Sequence, residues 1–107
     1  MKGILEVSII PIKLRSESAS LSDVVARFFN VLKENEKVKV EIYPTSTVIY
    51  GELEDVFNAF RNAIERTVSF DEIPRIVSFL KLDVRIDKDA TPKTKYDSVI
   101  EKISQKK

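Results

Sequence analysis

Three hydroxyl side chains follow one another at Thr45, Ser46 and Thr47, after Pro44 and before the β-branched and aromatic run Val48-Ile49-Tyr50. A hydroxyl donates one hydrogen bond and also accepts, so such a cluster can read a ligand that offers both kinds of group. Ser18 and Ser20 add two further hydroxyls, and Glu41 and Asp83 add carboxylates, which accept from an amine or offset a positive charge. Pro44 fixes φ and the polar residues beside it suit a tight turn, so the hydroxyl cluster is expected at the rim of a hairpin. Gly51 is expected to break the strand that follows, and Glu52, Glu54 and Asp55 place negative charge at the start of a helix. This rim is the leading candidate for a ligand contact.

The chain's composition narrows the chemistry. Among 107 residues there is no Cys and no His. Thiol nucleophiles, disulfides, zinc sites and imidazole general bases are therefore excluded, and only a hard, oxygen-ligated cation could be held. Catalysis would have to rest on Asp, Glu, Lys or Tyr, for instance Glu6 with Asp83, and no motif supports a reaction type. The expectation is a protein that is not an enzyme and carries no cofactor. A net charge of +1 gives no general attraction to nucleic acid or anionic lipid. No apolar run approaches the roughly 18 residues of a membrane span, and the amino terminus lacks a secretory pattern, so a cytoplasmic protein is expected. Abundant Lys and Glu with a single Gln fit a thermophilic source.

These residues must be positioned by a core, and the apolar spacing defines one. Leu5, Val7 and Ile9 alternate with Glu6, Ser8 and Ile10, which predicts a strand over 5–12. Ser20 fits a helix cap, and Leu21, Val24, Val25, Phe28, Phe29 and Leu32 repeat at helical spacing to about Asn35. A second strand is predicted over 38–43 and a third over 47–50. A second helix carries Leu53, Val56, Phe57, Phe60 and Ile64 to about Val68. Arg75 to about Asp87 reads as a long strand, apolar on both sides in its first half and so expected to be buried on two faces. A polar loop to Thr94 precedes a short amphipathic helix with Tyr96, Val99, Ile100 and Ile103. This order predicts one α+β domain over residues 1–107: a ferredoxin-like βαββαβ antiparallel sheet, two helices on one face, and a short C-terminal helix. The other face would stay bare. With Ile10, Ile49, Val77 and Phe79 placed on it, a second copy of the chain is expected to cover it.

Four strings resemble, in order, those of the small YkoF-like thiamine-binding proteins. They are Ile4–Ile12, the serine-rich Ser18–Ser22, the hairpin and acidic helix start Tyr43–Glu52, and the charged strand ending Lys81–Lys88. The likeness departs from the family pattern at Lys13-Leu14-Arg15, at Thr45 and Ser46, and at Tyr50. It implies a ferredoxin-like subunit that forms homodimers or homotetramers through its sheet faces. It also implies non-catalytic binding of thiamine or its hydroxymethylpyrimidine part.

An aminopyrimidine presents ring nitrogens as acceptors and an exocyclic amine as donor. Ser18, Ser20, Thr45, Ser46 and Thr47 could meet both, while Glu41 and Asp83 could accept from the amine or balance a thiazolium. Structural roles compete at each position. The competing role of Ser20 is a helix cap, that of Thr45 and Ser46 a turn, that of Glu41 a cross-strand pair, and that of Asp83, Arg85 and Asp87 an ion-pair network at a subunit interface. Tyr43 and Tyr50 could stack on a ring or be buried. An RNA-binding module shares the strand order, but Glu6, Ser8 and Asp83 stand where aromatic residues would be needed. The expected partners are thus a small ligand and further copies of the chain, with neither nucleic acid nor membrane. The alternative function is a regulatory or scaffolding oligomer without a small ligand.

Overall fold

The computed structural model describes residues 1–12, 21–71, 73–86 and 92–105. Its elements are β1 (Lys2–Ile12), α1 (Leu21–Lys33), β2 (Lys39–Tyr43), β3 (Ser46–Glu52), α2 (Leu53–Asp71), β4 (Arg75–Arg85) and α3 (Pro92–Gln105). The strands form one antiparallel sheet in the order β2-β3-β1-β4. This is the expected ferredoxin-like plan. No helix among the described residues is long and apolar enough to cross a membrane.

The alternation along β1 decides which face the helices cover. Leu5 pairs with Ile49 and Leu82, and Val7 pairs with Thr47 and Leu80. Directly opposed residues share a face, so these side chains form one layer. α1 and α2 close over it with Val24, Phe28, Val31, Leu32, Val56, Ala59 and Ala63. The Phe28 and Phe60 rings meet edge to face at 6.2 Å, which locks the two helices at the centre of the core. Glu6, Ser8 and Ile10 point to the opposite, open face, as their alternation predicts.

Several expectations are corrected. Ile49 is not on the open face; its pairing with Leu5 turns it into the core, where it is fully buried, and Val48 takes the open side. Gly51 does not end β3. The strand runs through it to Glu52, paired with Gly3, at a φ of +155° that an L side chain rarely adopts. α2 continues past Val68 to Asp71, and α3 begins at Pro92, inside the expected loop, because a proline at the first helical position loses no intrahelical bond. Within one chain β4 is not buried on two faces. It is an edge strand, and Phe79, Leu80 and Leu82 remain 63%, 47% and 42% exposed. The Lys13–Arg15 segment, Ser18, Ser20 and Asp87 lie outside the described residues.

Two substitutions test this packing. A Cβ at Gly51 would stand 3.2 Å from the Lys37 carbonyl oxygen in addition to its unfavourable φ. Gly51→Ala is expected to cost about 1–3 kcal/mol in chemical denaturation, with an unchanged far-UV spectrum. Thr67 is fully buried in α2 and its Oγ1 has no hydrogen-bond partner among the described residues. Replacing it by the near-isosteric valine removes an unpaired polar atom, so Thr67→Val is expected to leave stability unchanged or raise it by up to about 1–2 kcal/mol.

Candidate functional site

The hairpin is tight. Tyr43 pairs with Ser46 across the turn residues Pro44 and Thr45. Ser8 of β1 holds it in place from the side: its Oγ donates to the Thr45 carbonyl at 2.8 Å. Thr45, Ser46 and Thr47 do not present one row of hydroxyls. Strand alternation sends Thr47 to the helix side beside Val7 and Ser46 to the open side beside Tyr43, while Thr45 sits on the turn. Thr47 is 3% exposed, a buried polar side chain in an otherwise apolar layer.

The hairpin nevertheless borders one cleft of about 360 Å³ at the end of the sheet. One wall is α1, through Leu21, Val25 and Phe28; the floor is Val7 to Ile10 of β1; the far wall is Tyr43 to Thr47. The lining is apolar with hydroxyls at one edge, the composition of sites that hold a flat, weakly polar ring and orient it by a few hydrogen bonds. The structure therefore gathers Thr45, Ser46 and Thr47 at a single cleft. Its apolar walls, assigned in the sequence to the core alone, complete it. Ser8 was readable only as an open-face strand residue, because its bond to the turn carbonyl depends on the β1–β3 register.

The two carboxylates stand elsewhere. Asp83 lies on the open face, where Oδ2 accepts from Lys95 Nζ of α3 at 2.6 Å. The ion pair lies within one chain and brings the start of α3 over the sheet. A second cleft, of about 330 Å³, opens beside it, bordered by Ile4, Glu6, Tyr43, Val48, Lys81 and Tyr96 as well as by the ion pair. α3 is thus the element whose contribution the sequence did not reveal. Among the described residues no three carboxylates gather as a metal site would require.

Glu41 stands on β2, facing the same side as Tyr43. The Tyr43 hydroxyl donates to Glu41 Oε2 at 2.6 Å. This hydrogen bond, and then burial and the nearby negative charge, hold the phenol above its usual pKa. One member of the chain's three tyrosines is therefore expected to ionise late in an ultraviolet titration, and Glu41→Gln is expected to bring that step back toward the ordinary phenol range. An unchanged titration in the variant would show that the bond does not form in solution.

The thiamine-binding protein family matches residues 5–100 of the chain. The UPF0045 protein MJ1052 of Methanocaldococcus jannaschii is 35% identical over 98 residues, 92% of each protein, and UPF0045 protein YqgV of Bacillus subtilis is 34% identical over 100 residues, covering 91% of this chain and 93% of that one. The crystal structure of MJ1052 superposes with a TM-score of 0.78 over 94% of this chain and 97% of its own. A Thermotoga maritima protein named for a proposed role in thiamine biosynthesis or salvage shares the fold at a TM-score of 0.70 and 20% identity, over 90% of this chain and 99% of that chain. The match runs from β1 into α3 and so spans the sheet, both core helices and the hairpin cleft: the chain belongs to the thiamine-binding protein family.

Proposed function

We propose that this protein binds thiamine, or the hydroxymethylpyrimidine part of it, in the cleft between α1 and the β2–β3 hairpin, and that it does so without catalysis. The supporting observation is that cleft itself, apolar on three sides and bordered by Thr45, Ser46 and Thr47, in a chain of this family. An aminopyrimidine ring would lie against Val25, Phe28 and Ile9. Its nitrogens and exocyclic amine would be read by hydroxyls and by the backbone groups of the turn. Asp83 and Glu41 are left out of this contact set, since both stand on the open face and each already has a partner.

We further propose that the working form is a homo-oligomer whose subunits meet through the open sheet face. Ile10 and Phe79 are large apolar side chains exposed there, and a second copy would remove them from water.

Isothermal titration calorimetry with thiamine, its phosphates and hydroxymethylpyrimidine tests the ligand reading. Saturable binding in the micromolar range or tighter is expected. Thr47→Val should weaken it by about 5–10-fold, the loss of about one hydrogen bond. A null result with every ligand, from protein shown to be folded, would overturn the ligand reading and favour a regulatory or scaffolding oligomer.

A further inference from the structure

We propose that the open-face cleft beside the start of α3 is a second binding site, and that it takes a small zwitterion: a free α-amino acid with an apolar side chain. This goes beyond the thiamine reading and does not depend on it, since Tyr43 alone borders both clefts.

The charges in the cleft decide the class of ligand. Four charged side chains border it: Glu6, Lys81, Asp83 and Lys95. Asp83 and Lys95 are joined at 2.6 Å, so each already has its counter-charge. Glu6 and Lys81 stand directly opposite each other on β1 and β4, yet neither has a hydrogen bond or ion pair among the described residues. What is left is one free carboxylate and one free ammonium, with β-carbons about 4.5–5.5 Å apart on one face. A ligand carrying only a cation would satisfy Glu6 but meet the Lys81 charge at close range. A ligand carrying only an anion would meet the reverse problem at Glu6. An ammonium and a carboxylate held on one carbon satisfy both at once: the ammonium donates to Glu6, and the carboxylate accepts from Lys81.

The walls decide what else the ligand carries. Ile4 and Val48 give the cleft an apolar floor, and Tyr43 of β2 and Tyr96 of α3 border it with aromatic rings. The Tyr43 hydroxyl is committed to Glu41, which leaves its ring as the surface offered. An apolar side chain placed there is removed from water. The volume, about 330 Å³, stands at the small end of the range for ligand sites and suits a single amino acid. Ile10, on which self-association through the open face was proposed, lies about 20 Å from Ile4 along β1, so a second copy seated there does not require this cleft.

Half-ligands test the charge argument. Phenylalaninamide keeps the ammonium and loses the carboxylate; N-acetylphenylalanine keeps the carboxylate and loses the ammonium. Calorimetry at about pH 6, where the amines are charged, is expected to show saturable binding of phenylalanine and leucine, with each half-ligand about tenfold weaker than phenylalanine. Lys81→Met should weaken phenylalanine about tenfold and erase its advantage over the amide. Glu6→Gln should erase its advantage over the N-acetyl compound. A cross-strand pair that served stability alone would give no such ligand-specific loss. Circular dichroism identifies the variants that fold, and either variant suffices for the comparison. Thiamine titrations should be unchanged in both, because neither residue borders the hairpin cleft. Folded wild-type protein that binds neither amino acid would overturn the proposal. So would half-ligands that bind as well as phenylalanine, or binding that both variants leave intact, and each of these outcomes would leave the thiamine reading standing.

Discussion

The pairing of β1 with both of its neighbours is the constraint on which the rest of the structure depends. β1 lies between β3 and β4, and its side chains alternate with period two, so one register decides the facing of most of the sheet. Leu5 against Ile49 and Leu82, and Val7 against Thr47 and Leu80, make the layer on which α1 and α2 pack. A slip of one residue would bury Glu6 and Ser8 and expose that layer. The register also brings the chain's two glycines opposite each other, Gly3 to Gly51. A side chain at Gly3 would stand 3.1 Å from Leu53 at the start of α2, and one at Gly51 would crowd the Lys37 carbonyl. Both glycines thus permit close approaches at the end of the sheet far from the hairpin. The amide of Leu53 donates to the Met1 carbonyl there at 2.8 Å, and Glu52 pairs with Lys2 and with the Met1 amino group. That end is fastened by backbone and charge, which leaves the opposite end, with the hairpin, free to carry a cleft.

The two clefts differ in character because the two faces differ. The one beside α1 is an extension of the core: Phe28 and Val7 belong to the buried cluster and also border the opening. A flat ring entering there would continue the packing of the protein, and only the hairpin edge offers hydrogen bonds. The one on the open face has two lysines and two carboxylates around Ile4 and Val48, and one wall is α3, where Lys95 pairs with Asp83 at 2.6 Å between partly exposed groups. Ion pairs of that exposure contribute little on their own. α3 buries little of its own apolar stripe, with Tyr96, Val99, Ile100 and Ile103 all exposed. The cleft nearer the core is therefore the better preorganised of the two.

Much of the fold was legible in the residues. Period-two alternation located the strands, helical spacing located α1 and α2, and the order of elements gave the ferredoxin-like plan. Where the reading went astray, a local rule met a tertiary override. Glycine at position 51 is a strand breaker by propensity, yet pairing with Gly3 and a φ of +155° keep it in β3. The apolar run at the start of β4 resembles a doubly buried strand, but its place at the edge of the sheet leaves Phe79 and Leu80 exposed in the chain. Ile49 sits in a run, Val48-Ile49-Tyr50, with no polar residue to mark which side faces water, so its orientation came only from its partner across the strand.

The sequence by itself determined the element order, the helix-facing layer of β1, the absence of thiol and imidazole chemistry, and the position of a hydroxyl cluster on a hairpin. All of these follow from residue type and short-range spacing. Tertiary structure alone decided that Thr47 turns inward while Ser46 turns outward, that Asp83 pairs with Lys95 of α3 on the open face, and that β4 ends the sheet half-covered. Those outcomes depend on strand register and on where helices stop. Such contacts join residues far apart in the chain, and nothing in the local pattern of either partner specifies them.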